Sequence, residues 1–532
     1  GPGSKPGQAL RTSNSAGEME DFGGTSGASA QVGGVVALML EANPGLGYRD
    51  VQEILAYSAR QVDITNPGWQ FNGAANANGG GLHTSQSYGF GLVDAHAAVR
   101  LAETWLDQST FANRLVQTHV GQGGLAIPDQ GVLEATLTVE NGMKIDRVSI
   151  SVQIEHRRYS DLRIELVSPD GTVSVLTDIQ AAGGPPASAA TMGLHYTFDS
   201  VQFWGESGKG EWTLRVTDQV TGESGILLGW SLELIGDSGP NDVYVYTDAF
   251  AALAAADPSR TTLADSDGID TLNAAAMTGA VHIDLAAGNA VLGGTAVTFA
   301  PGTWIENAMG GDANDVLIGN HFDNILMGGR GDDTIFGGAG NDTIAGGIGR
   351  DTLYGGDGFD VLSYAGSNAG VAVDLAAGSA SGGHATGDRF FGFEGVIGSA
   401  HADTLTGNAG DNLFEGGGGA DLIYGGAGSD TASYAGSRQG VTVDLAAGRG
   451  YGGDAEGDIL HSIENLIGSA HADTLIGTAG ANTLSGGAGD DLLVGGGGAD
   501  WFFGGEGIDT VSFAALDKGV TAQLSATPGR GN

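Results

Sequence analysis

Acidic side chains recur at a fixed spacing of nine residues in the C-terminal part of the sequence. The pattern Gly-Gly-x-Gly-x-Asp-x-apolar-x forms three arrays, at 310–363, 398–433 and 468–512. Carboxylate and loop carbonyl oxygens are the ligands that Ca²⁺ prefers, whereas Mg²⁺ needs a tighter octahedron and is the second candidate. The spacing predicts several calcium ions, held at the sixth position of the repeat by Asp315, Asp333, Asp342, Asp351, Asp360, Asp403, Asp421, Asp430, Asp473, Asp491, Asp500 and Asp509.

The repeat also predicts the backbone that positions these carboxylates. Two nonapeptides should make one turn of a parallel coil, so loops eighteen residues apart stack at one edge. Glycine permits the positive φ angles of tight loops, and the apolar residue of each repeat should point into a narrow core. Stacked carboxylates repel one another unless a cation lies between them. We therefore expect ions at the pairs Asp315/Asp333, Asp333/Asp351, Asp342/Asp360, Asp403/Asp421, Asp473/Asp491 and Asp491/Asp509, and weaker sites where the sixth residue is Asn324, Asn412 or Asn482.

Near the other end of the sequence, a serine stands at the start of an apolar run. Residues 22–33 read FGGTSGASAQVG, which places Ser26 at the predicted entrance of a helix. A serine hydroxyl there could attack a carbonyl, but it needs a base and a group that orients the base. No His precedes Ser26, and the nearest downstream candidates are His83, His96 and His119. We expect His96 to lie in a helix as a surface or packing residue.

Three helices are predicted around this serine. Residues 28–42 are apolar on nearly all sides, which is typical of a buried helix. Residues 48–59 and 92–105 show apolar residues at helical spacing. The sequence shows no parallel sheet to cover the first helix, so we expect its apolar face to be exposed, covered by another chain or poorly ordered.

The remaining segments are predominantly β in character. Residues 108–237 alternate in short apolar and polar steps separated by turn residues, which predicts an antiparallel β-sandwich. Residues 238–309 form a linker or β transition, and 310–532 form the repeat region. Residues 1–4 resemble a tag remnant, and 5–107 hold the predicted helices. The fold class is therefore multidomain and mainly β, and both ends suggest a piece of something longer.

Composition restricts the possible partners. Lys and Arg number 21 against 63 Asp and Glu, for a formal charge of −42. Such a surface repels nucleic acid and anionic membranes and attracts cations. There is no Cys, and no apolar stretch approaches the ~20 residues of a transmembrane helix. Calcium is the predicted partner, with neither nucleic acid nor a transmembrane segment.

The repeats, exemplified by GGRGDDTIF and GGAGNDTIA, resemble those of the repeats-in-toxin (RTX) family over about residues 310–512. The resemblance implies a calcium-loaded parallel β-roll in a secreted protein of a Gram-negative bacterium, exported by type I secretion and folding in external calcium. Residues 241–288 also resemble the region before the repeats in serralysin-type metalloproteases. The zinc motif HExxH is absent from the sequence, so that chemistry is not expected.

Residues 22–60 resemble the nucleophile region of subtilisin-like proteases of the kexin branch, and Gly24-Thr25-Ser26 matches the family's GTS. Residues 88–105 resemble the helix that closes that catalytic domain. DLRIELVSPDGTVSVL (161–176) resembles the kexin-type P domain, a jelly-roll-like β-sandwich without chemistry of its own. The resemblance implies a partial subtilisin-like α/β segment with Ser26 as the nucleophile. Ala30 departs from the family, which has Pro there.

These resemblances imply a function for the parent protein. It would be a secreted, calcium-dependent serine endopeptidase acting on protein or peptide substrates, with this chain as its C-terminal portion. In the family, the triad Asp and His precede the serine, and neither is recognisable here, so we predict that the chain alone is inactive. The alternatives are a non-catalytic calcium-binding module for secretion, folding or surface attachment with an idle Ser26, and complementation by a fragment that supplies Asp and His.

Overall fold

The computed structural model describes residues 10–13, 19–22, 25–106, 108–178, 193–237, 239–514 and 519–523. By their contacts the residues fall into two compact units, which are described separately. Unit 1 comprises residues 1–277 with 297–303, and unit 2 comprises residues 278–296 with 304–532. Most described elements are strands, so the predicted multidomain, mainly β fold class is confirmed.

The helices of unit 1 lie close to their predicted positions. They are α1 (Thr25–Ala42), α2 (Tyr48–Ser58), α3 (Ala95–Glu103) and the short α4 (Phe250–Ala256). Helix α3 is shorter than predicted because Asp94 caps it, accepting hydrogen bonds from the backbone N–H groups of His96 and Ala97. Short strands accompany the helices: β1 (Leu10–Ser13), β2 (Met19–Phe22), β3 (Trp69–Phe71) and β4 (His83–Ser85).

The predicted β-sandwich is confirmed. Its strands are β5 (Leu115–Gly121), β6 (Leu125–Ile127), β7 (Val132–Val139), β8 (Lys144–Glu155), β9 (Leu162–Val167), β10 (Val173–Asp178), β11 (Leu194–Ser200), β12 (Gly210–Asp218) and β13 (Gly225–Asp237). They form two antiparallel sheets, in the orders β10-β9-β12-β7 and β11-β8-β13-β5, with β6 beside β13. Alternate side chains of each strand fill one core, in which Trp212 is fully buried and donates a hydrogen bond to the Gly208 carbonyl.

Three further strands and the end of a fourth, residues 297–299, follow the sandwich in unit 1, within the segment predicted as a transition. They are β14 (Val243–Thr247), β15 (Thr262–Leu263), β16 (Thr271–Ala276) and β19 (Thr295–Phe299). Strand β14 pairs in parallel with β16, and β15 pairs in parallel with β19. Parallel pairing therefore begins before the first nonapeptide array.

Unit 2 is a parallel coil with the predicted period. One sheet contains β20 (Asn307–Met309), β22 (Ile325–Arg330), β24 (Thr343–Ile348), β26 (Val361–Ser363), β30 (Gly395–Ile397), β32 (Leu413–Glu415), β34 (Thr431–Ser433), β38 (Asn465–Ile467), β40 (Thr483–Ala488) and β42 (Trp501–Glu506), paired in that order. Residues eighteen apart are paired, as in Ile325 with Thr343. Ile335, Ile344, Leu353 and Leu362 are fully buried, so the predicted narrow core is confirmed.

Among the described residues, the other sheet of unit 2 contains three antiparallel hairpins. Its strands are β17 (Val281–Asp284), β18 (Asn289–Leu292), β21 (Val316–Ile318), β23 (Thr334–Ala339), β25 (Thr352–Asp357), β27 (Ala372–Asp374), β28 (Ser379–Ser381), β29 (Arg389–Phe391), β31 (Thr404–Thr406), β33 (Leu422–Tyr424), β35 (Thr442–Asp444), β36 (Arg449–Tyr451), β37 (Ile459–His461), β39 (Thr474–Ile476), β41 (Leu492–Val494) and β43 (Thr510–Val511). The hairpins are β17–β18, β27–β28 and β35–β36, and the last two separate the arrays, after which the parallel pairing resumes.

Candidate functional sites: the serine helix and the aspartate ladders

The candidate nucleophile stands at the start of α1. Ser26 is the second residue of this helix, and its side chain lies outside the described residues, for which side chains begin at Ala28. The backbone N–H groups of a first helical turn have no partner within the helix and can hold an anion. The backbone at Ser26 is therefore of the kind that an oxyanion site uses.

The three downstream histidines occupy different parts of unit 1. His96 is exposed on α3, so of the two expected roles it is a surface residue, and His119 lies in sandwich strand β5. His83, in β4, packs edge-on against Trp69, with 5.4 Å between ring centroids. Burial lowers the pKa of His83, so its imidazole is neutral near pH 7.

Helix α1 is only partly covered, which corrects the prediction of a buried helix. Val35 and Met39 are buried, whereas Leu38 and Leu40 on the same helix are 48% and 40% exposed. Residues three to four apart share a helix face, so one stripe packs inward and the opposite stripe meets solvent. The sequence also led us to expect an exposed apolar face on this helix as one outcome, and the exposure of Leu38 and Leu40 confirms it.

The buried stripe of α1 packs into a core shared with the sandwich. Met39 belongs to a cluster that also contains Leu101 of α3, Trp204 of the sandwich and Val245 of β14. The helical segment, the sandwich and the following strands thus exclude water together. Sequence patterns within each segment did not predict this shared core.

Polar contacts reinforce that interface. Arg49 of α2 is 3% exposed, and its Nε lies 2.5 Å from Asp146 Oδ2, while Nη2 lies 3.1 Å from Asp237 Oδ2. Both carboxylates belong to the sandwich. Burial raises the pKa of Asp146 to about 6 although the Arg49 guanidinium opposes that shift. The ion pair therefore sits where an unpaired charge would be costly.

In unit 2, the repeat aspartates form hydrogen-bonded ladders along the coil. The backbone N–H of Asp315 donates to Asp333 Oδ1 at 2.8 Å, and that of Asp333 donates to Asp351 Oδ1 at 2.9 Å. Asp342 and Asp360 are linked in the same way, at 2.9 Å. Each carboxylate thus uses one oxygen to bind the preceding coil. The remaining pairs expected to stack follow this pattern: Asp403/Asp421, Asp473/Asp491, Asp491/Asp509, Asn412/Asp430 and Asn482/Asp500.

The second carboxylate oxygen is often buried without any hydrogen-bond partner. This holds for Oδ2 of Asp333, Asp342, Asp351, Asp360, Asp421, Asp430 and Asp491. Burial, together with neighbouring carboxylates, raises the pKa of Asp333 and of Asp421 to about 8 in the chain without metal. A buried anionic oxygen without a partner is strongly unfavourable, and a bound cation removes that penalty.

A loop carbonyl oxygen lies beside several of the repeat carboxylates, in the first coils, as at Asp403, and in the later ones. A Cβ built on Gly337 would lie 2.3 Å from Asp342 Oδ2 and 2.3 Å from the Gly355 carbonyl oxygen. A Cβ on Gly328 would lie 2.4 Å from Asp333 Oδ2 and 2.5 Å from the Gly346 carbonyl oxygen. The glycine therefore leaves open a space lined by a carboxylate and a carbonyl. Such a donor set fits Ca²⁺.

Four ladder carboxylates were missed by the sequence reasoning. Asp351 N–H donates to Asp388 Oδ1 across 37 residues, and Asp360 N–H donates to Glu394 Oε2 across 34. In the next array, Asp458 and Glu464 are the corresponding acceptors. The hairpin changes the spacing from eighteen, so the nonapeptide pattern did not find them. The repetition of this segment after 70 residues was the available signal.

Three parts of the chain match known family models. Residues 2–91 match the subtilase family model, and residues 145–234 match the proprotein convertase P-domain model. The model of the RTX calcium-binding nonapeptide repeat matches residues 309–344, 327–362, 397–432, 467–501 and 476–511. The chain is related to the subtilisin/kexin proteases and carries RTX calcium-binding repeats.

Similar proteins match part of the chain. PC3-like endoprotease variant B of Hydra vulgaris is 32% identical over 205 residues, covering 37% of this chain and 27% of that protein. Kexin of Saccharomyces cerevisiae is 30% identical over 237 residues, covering 42% and 28%. The crystal structure of a serine protease of Aeromonas sobria matches with a TM-score of 0.34 and 26% identity, over 41% of this chain and 45% of that one. The chain thus spans about a quarter of the length of these curated relatives.

Calcium-binding repeats of this type indicate Ca²⁺ as the ion of unit 2. Within the described residues, no helix combines the length and the apolar character that crossing a membrane requires.

Proposed function

We propose that this chain is the C-terminal portion of a secreted, calcium-dependent serine endopeptidase of the subtilisin/kexin type. The observation that carries the proposal is the order of segments: a subtilase segment with Ser26 at the start of α1, a P domain packed on its helices, and RTX repeats with unpartnered buried carboxylate oxygens. Export from a Gram-negative bacterium by type I secretion is part of the proposal, supported by the repeats alone.

Ser26 would act as the nucleophile in acyl transfer. Its Oγ attacks the peptide carbonyl, a histidine takes the proton, and an aspartate holds that histidine in the correct tautomer. The first-turn N–H groups of α1 would stabilise the oxyanion. No His precedes Ser26 in this sequence. We therefore propose that the chain alone does not hydrolyse peptides and that the parent protein supplies the base.

The P domain and the helical segment would stabilise one another. Trp204 lies in the cluster that buries Met39 of α1, and the side-chain amide of Asn72 donates to the Trp204 carbonyl at 2.8 Å. The backbone N–H of Gly73 donates to Glu206 of the sandwich at 2.8 Å. Apolar packing together with these hydrogen bonds would fix the relative positions of the two segments. The P domain would thereby hold α1, and with it Ser26, in place.

Calcium would neutralise the carboxylates of unit 2. The aspartates with an unpartnered Oδ2, together with loop carbonyls such as that of Gly355, would hold the ions. When bound, Ca²⁺ supplies the positive charge that lets acidic loops pack against one another. In a chain of formal charge −42, folding then depends on external calcium.

Labelling with a serine-directed fluorophosphonate tests the catalytic proposal. The chain and a version extended at its N-terminus are compared, each with calcium and with chelator, and each with a Ser26→Ala control. We expect the extended protein to label at Ser26 in calcium and the present chain to label little. Rapid labelling of the present chain at Ser26 would refute its inactivity. Resistance of the extended protein would instead favour the non-catalytic calcium-binding alternative.

A further inference from the structure

The loops of the fifteen nonapeptides fall into two conformational classes. In nine of them the second position is a glycine with positive φ: Gly329, Gly338, Gly347, Gly356, Gly417, Gly426, Gly487, Gly496 and Gly505. In the first two nonapeptides of each array, the second residue does not have a positive φ. The six residues at these positions are Gly311, Asn320, Ser399, Asn408, Ser469 and Thr478, and Gly311 is the one glycine among them. The first coil of every array is therefore built differently from the coils that follow.

In one edge of each first coil, the loop itself satisfies the carboxylate. Asp403 Oδ2 accepts a hydrogen bond from the Ser399 backbone N–H at 2.6 Å and another from its hydroxyl at 3.1 Å. The Ser469 hydroxyl donates to Asp473 Oδ2 at 3.1 Å, and the Gly311 N–H donates to Asp315 Oδ2 at 2.7 Å. These three oxygens are buried and already partnered, whereas their counterparts one coil later have no partner.

In the other edge of each first coil, an amide takes the place of a carboxylate and an ion. Asn324 Nδ2 donates to the Glu306 carbonyl at 2.7 Å, while Asn324 Oδ1 accepts from the Asn320 N–H. Asn412 and Asn482 repeat the arrangement, donating to backbone carbonyls at 3.1 Å and 2.6 Å. A neutral amide thus joins two coils without a cation.

The far ends of the first two arrays are also satisfied internally. The Tyr364 hydroxyl donates to Asp388 Oδ2 at 3.0 Å, and the Tyr434 hydroxyl donates to Asp458 Oδ2 at 2.9 Å. Along the edge of the first two arrays that contains Asp333, Asp351 and Asp421, the unpartnered oxygens therefore lie between a hydrogen-bonded first coil and a tyrosine-bonded last carboxylate. Among the aspartates of the nine glycine loops, seven have such an oxygen, and Asp500 and Asp509 at the end of the coil are partly exposed.

We propose that calcium binds only in the nine loops with a positive-φ glycine at the second position, and that the first coil of each array needs no ion. The inference rests on the proposed calcium-dependent function. In the first coil, hydrogen bonds from serine, asparagine and backbone N–H groups satisfy the oxygens and join the coils. In the later coils, a calcium ion has this role. Each first coil offers a template on which the calcium-requiring coils add. Asp315, Asp403 and Asp473 are then ladder residues and are not calcium ligands.

Paired substitutions in the second array test the proposal on the full chain. Asp403 and Asp421 are both buried, stand on the same edge and lie one coil apart. The number of Ca²⁺ ions bound at saturation is measured by isothermal titration and by atomic emission for wild type, Asp403→Asn and Asp421→Asn. We expect Asp421→Asn to lose at least one ion per chain and Asp403→Asn to lose none. Circular dichroism in calcium shows whether each variant remains folded.

Two outcomes separate this inference from the function on which it rests. A wild-type chain that binds no calcium would refute the proposed calcium dependence itself. If the wild type binds calcium and a folded Asp403→Asn variant loses as many ions as Asp421→Asn, the claim that the first coil needs no ion is refuted. The proposed calcium dependence would then still stand. A crystal structure of the wild-type chain in calcium tests the same proposal without any substitution. Ions should lie about 2.3–2.6 Å from Asp421 Oδ2, and an ion at that distance from Asp403 Oδ2 would overturn the proposal.

Discussion

Replacing Arg49 by leucine should destabilise unit 1 far more than the same change at an exposed arginine. Arg49 is 3% exposed and pairs with Asp146 and Asp237, whose side chains are 11% and 32% exposed. Removing one partner of a buried ion pair leaves an uncompensated charge and costs about 3–5 kcal/mol. Arg60 offers a matched control, because it pairs with Asp94 at 2.8 Å but is 64% exposed. Arg60→Leu should cost less than about 1 kcal/mol.

The assay is urea unfolding in saturating calcium, followed by tryptophan fluorescence, at several pH values. The pKa of Asp146 in the folded chain, about 6, is already above its usual value, and loss of Arg49 should raise it further. A raised folded pKa favours folding at low pH, and that contribution is lost as the pH rises through the folded value. The penalty of Arg49→Leu should therefore be largest near pH 8 and shrink towards pH 5. Similar small losses in both variants, or a penalty independent of pH, would refute the buried-charge reasoning.

Three further outcomes are expected. Ser462 has a positive φ of 54°, whereas Gly392 occupies the equivalent position of the preceding copy with φ 70°, so Ser462→Gly should raise the free energy of unfolding by about 0.5–1 kcal/mol in chemical denaturation. A lower value would show that the Ser462 side chain contributes more than its strained backbone costs. Gly337→Ala should abolish calcium binding at its loop in titration, because the new methyl would lie 2.3 Å from Asp342 Oδ2, while Gly418→Ala, 3.8 Å from its nearest neighbour, should bind like wild type. Chelator should remove most of the β-structure of unit 2 from circular dichroism spectra; a spectrum unchanged by chelator would contradict the need for calcium.

Local periodicity was enough to predict most of the architecture. Alternation of apolar residues identified the sandwich, and the nonapeptide period placed Ile335 and Leu353 in the core of the coil. Both features repeat within a few residues of one another, so short-range geometry determines them. The sequence pattern did not predict Asp388 and Asp458 as ladder residues, because a hairpin interrupts the period. Their place on the ladder depends on how the chain returns to the coil after the hairpin.

The coverage of α1 depended on residues distant in sequence. Its apolar pattern is the same on all sides, yet Met39 is buried and Leu38 is half exposed. What covers a helix depends on which elements fold against it, here α3, the sandwich residue Trp204 and β14.

The sequence by itself determined the period of the coil, the residue types at each loop and the attraction of this acidic chain for calcium. Those properties follow from composition and from spacing along the chain. Only the tertiary structure decided which carboxylate oxygens are buried without a hydrogen-bond partner. Asp403 and Asp421 have the same place in the repeat, but Ser399 bonds the Oδ2 of one and nothing bonds that of the other. A hydrogen-bond partner is a matter of distance and direction in space, and the repeat pattern alone contains neither.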